Sequence, residues 1–86
     1  MNIFLCELKP SYNIIDIRDR YSYNEGHMFN ARNIPMDELL NNTNMYLNKN
    51  DTYYIYCKSG MRSKKTCDIL KLFGYNVINV IDGYGK

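Results

Sequence analysis

The stretch that decides the fold is Thr52–Ile81, "TYYIYCKSGMRSKKTCDILKLFGYNVINVI". It opens on Thr52–Tyr56 and closes on Asn76–Ile81, two runs of β-branched and aromatic residues of strand length bounded by turn residues. Between them, in "GMRSKKTCDILKLFG", Cys67, Leu70 and Phe73, with Ile69 and Thr66, recur at the i, i+3, i+4 spacing of one helix face. Gly74 supplies the left-handed residue that commonly closes a helix. Strand, tight loop, helix, strand is a βαβ unit, so the two strands are expected to be parallel, joined by a right-handed crossover.

Working outward, "NIIDI" (13–17) reads as a further strand and Ile3–Leu5 as a weaker one. A helix is expected over Met36–Asn41, where Asp37 and Glu38 suit the positive end of the macrodipole and Pro35 fixes the entry. Tyr21–Asn33 reads as an extended loop. Alternating strands and helices predict an α/β fold, a three-layer α/β/α arrangement around a mainly parallel sheet of about four to five strands. The 86 residues suffice for one compact domain, 1–86, and not for two.

With 45% hydrophobic and 23% charged residues the composition is that of a globular chain. Apolar runs fall short of the roughly 18 residues of a membrane helix, and the start "MNIFLCELKPSYN" has no basic segment ahead of its apolar residues. The expectation is a cytoplasmic protein with no membrane partner. Thiols stay reduced there, so Cys6, Cys57 and Cys67 are considered singly. One histidine and no C-x-x-C pair argue against a zinc or other metal site. A net charge of +2 does not by itself indicate nucleic acid as partner. Lys58, Arg62, Lys64 and Lys65 instead gather around one loop.

Free cysteine is by default a core residue. Cys67, on the apolar helix stripe, fits that default, and Cys6, in "IFLCEL", is expected in the core or partly exposed. Cys57 differs because it ends a strand just before a helix begins. In parallel α/β sheets ligands collect at that end, where free helix N–H groups point. The dipole and the cations favour thiolate, the nucleophilic form. Gly60 lets successive N–H groups converge into an anion nest, and Ser59 and Ser63 are small hydrogen-bond donors. Cations in a helix's first turn cost about 0.3 to 1 kcal/mol each, a cost that a thiolate or anionic substrate would offset.

Three ordered motifs carry a family resemblance. "IIDIRD" (14–19), "GHMFNARNIP" (26–35) and "YCKSGMRS" (56–63), followed by "LFGYNVINVIDG" (72–83), make the sequence similar to the small single-domain rhodanese-like sulfurtransferases. That resemblance implies that Cys57 accepts a sulfane sulfur from an anionic donor such as thiosulfate and passes it to cyanide or a thiol. The loop Lys58, Ser59, Gly60, Met61, Arg62 and Ser63 would cradle the transferred sulfur and bind the anion. Asp16 and Arg18 would brace the loops around it, and His27 would serve the fold through a hydrogen bond. It implies no cofactor, and a sulfur-relay protein as a further partner. Asn30 stands where the family usually has glycine, a change suited to asparagine's tolerance of the left-handed region. Relatives normally continue beyond the position of Lys86 through a second glycine and an aromatic-containing terminal helix, which would cover one side of the sheet.

Two other readings stay open. Phosphatases and arsenate reductases of this fold place five residues between Cys and Arg, where this loop has four, Lys58 to Met61, a size suited to one sulfur atom. A non-catalytic module binding a protein partner would commonly lose the cysteine, which is retained here, whereas a sulfur-relay module would look identical to the enzyme.

Overall fold

The computed structural model describes residues 2–85. Its elements run β1 (Asn2–Ile3), a 3-10 turn (Leu5–Glu7), β2 (Asn13–Asp16), α1 (Arg20–Glu25), β3 (Arg32–Asn33), α2 (Met36–Asn41), α3 (Thr43–Tyr46), β4 (Thr52–Tyr56), α4 (Met61–Leu72) and β5 (Asn76–Val80). The five strands form one sheet in the order β1-β5-β4-β2-β3, and every pairing is parallel. β4 lies at the centre, with Tyr54 opposite Ile14 of β2 and Ile78 of β5.

Strand periodicity sorts the core into two layers. Ile15, Ile17, Ile55, Cys57 and Val77 face the side covered by α2, α3 and α4, where Leu39, Leu47, Cys67 and Leu70 complete the cluster. Ile14, Tyr56 and Val80 face the other side, with Leu8 and Ala31. Tyr12, Tyr23, Met28 and Tyr84 pack over that second cluster, so residues of the N-terminal segment, α1 and the turn after β5 cover it. Among the described residues, no helix is long and apolar enough to cross a membrane.

The segment expected to be an extended loop, Tyr21–Asn33, contains most of α1 and all of β3. α1 buries no residue fully and so lacks an apolar stripe; its start is fixed by Asp19, whose carboxylate accepts the Ser22 N–H at 2.7 Å. That bond holds the Asp19 carboxyl below its ordinary value. The first strand is Asn2–Ile3 rather than Ile3–Leu5, because Leu5 enters the 3-10 turn. Phe73 is 53% exposed, not part of the buried stripe: α4 stops at Leu72 and Phe73 caps it, leaving Ser63, Thr66, Cys67 and Leu70 as its inward face. Asn30 adopts φ 58°, the left-handed conformation expected of it.

Candidate functional site

β4 delivers Cys57 to the carboxyl edge of the sheet, and the chain turns through Lys58–Gly60 into α4. Gly60 is the N-cap of α4, with φ 92° and no side chain to satisfy the first amides. The Cys57 sulfur does so instead: Sγ accepts the Gly60 N–H at 3.1 Å and the Ser63 N–H, the third helical amide, at 3.3 Å. The nucleophile candidate therefore occupies the place where a Ser or Asp cap oxygen ordinarily sits. The Ser63 hydroxyl lies 3.5 Å from Sγ and donates to the Gly60 carbonyl at 3.2 Å.

Cys57 is only 3% exposed, and burial alone would push its thiol up. The Ser63 hydroxyl and the N–H groups of Ser63, Gly60 and Ser59 outweigh that effect and bring it below the ordinary thiol value. Cys67 has no such donors; burial pushes it up to about 12. Cys6 is exposed.

The four cations are not equivalent. Only Arg62 and Lys64 fall near the start of α4, and Lys64 pairs with Asp68 one turn on, at 3.1 Å. Lys58 lies in the loop and Lys65 lies further into the helix, so the charge concentrated in the first turn is smaller than the sequence implies. Lys58 borders a groove of ≈ 660 Å³ with Arg18, Tyr21, Ser22 and Tyr84. Met61 is 78% exposed at the loop's outer edge.

Beneath this end of the sheet lies a buried network. Asp16, fully buried at the end of β2, accepts from the Arg18 backbone N–H at 2.8 Å, from Arg18 Nη2 at 2.7 Å and from the Tyr56 hydroxyl at 2.8 Å. Arg18 Nη2 also donates to the Gly26 carbonyl at 2.6 Å, and the Tyr56 hydroxyl receives the Met28 N–H at 3.0 Å. The bond to Asp16 raises the Arg18 guanidinium further above its already high value. Asp16 and Arg18 thus join β2, β4 and the Gly26–Met28 segment and do not reach the sulfur. His27 is directed away from it as well: its Nδ1 donates to the Tyr23 carbonyl at 2.8 Å and its ring stacks on Tyr23 at 3.7 Å.

The sequence reading follows the turn after β5 only as far as Gly83 and gives Tyr84 and Gly85 no role. Tyr84 N–H donates to the Cys57 carbonyl and Gly85 N–H to the Lys58 carbonyl, both at 2.9 Å. The signal available was "DGYG", two glycines straddling an aromatic residue directly after a strand.

Fold and loop together define a parallel α/β protein that presents a hydrogen-bonded cysteine at a helix start. The chain belongs to the rhodanese-like domain family, whose pattern it matches over residues 6–86. It is 38% identical to Staphylococcus saprophyticus SSP1007, with a TM-score of 0.87 over 95% of this chain and 87% of that one. A rhodanese-like domain protein from Staphylococcus aureus is 40% identical, with a TM-score of 0.78 over 92% of this chain and 76% of that one. Among curated relatives, "Putative sulfur carrier protein YrkF" of Bacillus subtilis (strain 168) is 39% identical over 74 residues, 85% of this chain. The chain spans 40% of that relative's length.

Proposed function

We propose that the protein is a sulfurtransferase of the thiosulfate type, working through a persulfide on Cys57. The observation that carries this reading is the Cys57 sulfur receiving the Gly60 and Ser63 amides, a setting that favours a thiolate. The thiolate attacks the outer sulfur of thiosulfate; the new S–S bond forms as the old one breaks, and sulfite leaves with the bonding pair. The terminal sulfur of the persulfide carries the negative charge, which the loop amides from Ser59 to Ser63 and the nearby cations Lys58 and Arg62 stabilise. Cyanide or a thiolate then attacks that terminal sulfur and releases Cys57 as thiolate. Neither step needs a general base, in keeping with His27 being engaged with Tyr23. A reducing compartment such as the cytoplasm would keep Cys57 available for this cycle.

A relay role, in which the acceptor is a protein thiol, draws support from the likeness to YrkF, whose name designates a sulfur carrier. The chemistry at Cys57 is the same and only the acceptor changes.

Incubation with thiosulfate followed by intact mass and peptide mapping tests the reading. Addition of one sulfur atom to Cys57, and loss of thiocyanate formation in Cys57→Ser, are expected. A protein that gains no sulfur at Cys57, or a Cys57→Ser variant that turns over cyanide as fast as wild type, would refute it. Hydrolysis of an aryl phosphate that depends on Cys57 would point to phosphatase chemistry instead.

A further inference from the structure

Tyr84 lies far from Cys57 in the sequence, yet its segment, Gly83–Gly85, abuts the cysteine loop at each residue. Besides the two backbone bonds to the Cys57 and Lys58 carbonyls, three glycines permit an approach that no side chain would allow. A Cβ on Gly83, at φ 67°, would sit 2.3 Å from the Lys58 carbonyl oxygen. One on Gly85 would sit 2.2 Å from Lys58 Cγ, and one on Gly60 would sit 2.1 Å from the Ile81 carbonyl oxygen.

The turn is itself held from two sides. The Asp82 carboxylate accepts the Leu5 N–H at 2.8 Å. The Tyr84 ring lies with its centroid 4.9 Å from the Arg18 guanidinium carbon and 5.7 Å from the Tyr56 ring. That guanidinium is fixed in turn by Asp16 and the Gly26 carbonyl. A cation held over an aromatic face is attracted by the ring's quadrupole, more strongly when desolvated.

We infer that Tyr84 is a positioning residue for Cys57: Arg18 holds its ring, the ring holds the turn, and the turn holds the consecutive Cys57 and Lys58 carbonyls at the entry of the cysteine loop so that the Gly60 and Ser63 amides converge on the sulfur. The inference rests on the reading of Cys57 as nucleophile, but it concerns the thiolate population and not the transfer of sulfur. It therefore has its own readout. The phenolic oxygen plays no part in this linkage, whereas the ring does.

The test is the rate of Cys57 alkylation by iodoacetamide against pH, read by peptide mass in the intact chain. Tyr84→Phe keeps the ring and is expected to match wild type within about twofold. Tyr84→Ala is expected to move the midpoint up by about one pH unit, slowing alkylation at neutral pH by about tenfold. Should Tyr84→Ala fail to fold, Tyr84→Leu, which keeps apolar bulk and the backbone N–H, is expected to give the same direction of shift. Val77→Ala, a core truncation away from the loop, serves as the control for general loosening. An unshifted midpoint in the folded Ala or Leu variant overturns the assignment, as does an equal shift in Val77→Ala. Failure of sulfur transfer with an intact Tyr84 effect would count against the proposed activity alone.

Discussion

Ser63 meets the Cys57 sulfur twice, with its amide N–H at 3.3 Å and its hydroxyl at 3.5 Å. When the sulfur is ionised, the hydroxyl proton can turn from the Gly60 carbonyl to Sγ and add a charge-assisted bond. Ser63→Ala keeps the amide and loses the hydroxyl. Its Cys57 midpoint in a pH-alkylation profile is expected about one unit above wild type, a difference of about 1.4 kcal/mol between the two protonation states. An unchanged midpoint would mean that the amides alone set the thiolate.

Because the sulfur caps α4, replacing it has a structural cost separate from lost chemistry. Cys57→Ala leaves the Ser63 amide without its acceptor and is expected to lower stability by about 1 kcal/mol in urea unfolding. Cys57→Ser offers an oxygen in the same place and should recover part of that loss while remaining inactive. If the two variants are equally stable, the capping contribution is negligible.

The two buried thiols act on stability with opposite signs. Folding lowers Cys57, so its contribution is full above the unfolded thiol value of about 8.5 and is lost as pH falls through the folded value. Folding raises Cys67 to about 12, so above about 8.5 the unfolded chain releases a proton that the folded one keeps, and stability falls with rising pH. Urea midpoints across the alkaline range should therefore decline less steeply for Cys67→Ala than for wild type. Identical slopes would contradict the assignment.

Asp16 illustrates a charge held by more than its counterion. Asp16→Asn removes the buried carboxylate that Arg18 and Tyr56 both address, and a loss of about 3 kcal/mol is expected. Tyr56→Phe removes one donor from Asp16 Oδ2, which Arg18 still reaches, strands the Met28 amide, and should cost about 1 to 2 kcal/mol. Denaturant titration measures both; an Asp16→Asn loss below about 1 kcal/mol would place the pair with exposed salt bridges.

Gly60 and Gly74 share nearly the same φ, 92° and 93°, but not the same surroundings. At Gly74 a Cβ would meet only the Lys49 side chain at 3.6 Å, so Gly74→Ala should cost the left-handed strain alone, about 1 to 2 kcal/mol. At Gly60 the backbone carbonyl of Ile81 lies in the way, and Gly60→Ala is expected to cost more and to raise the Cys57 midpoint. Equal melting temperatures for the two variants would show that the turn yields freely.

Where an element carries its own pattern, its bounds are legible in the sequence. Thr52–Tyr56 and Met36–Asn41 occur as read, and Cys57, Gly60 and Ser63 meet because strand, glycine loop and helix follow one another. α1 escaped notice because "RYSYNE" places nothing fully in the core and is started by a cap, and β3 because two residues hold no periodicity. Phe73 fits the stripe by spacing, but a 3.6-residue period does not announce its last turn; the chain leaves the helix there and the ring follows it outward. Tyr84 was invisible for a different reason: its contact with Cys57 closes only after β5 has returned the chain beside β4, and no local pattern records that meeting.

The sheet's strand order also governs how the molecule behaves in a crowd of its own copies. β1 and β3, the two outer strands, are two residues each, so neither edge offers a run of unpaired amides long enough to recruit a strand from another chain. β4, the long apolar strand most suited to such recruitment, has β2 and β5 on either side. Aggregation by edge addition would require opening the layers that flank Cys57, which ties colloidal stability to the same central strand that carries the chemistry.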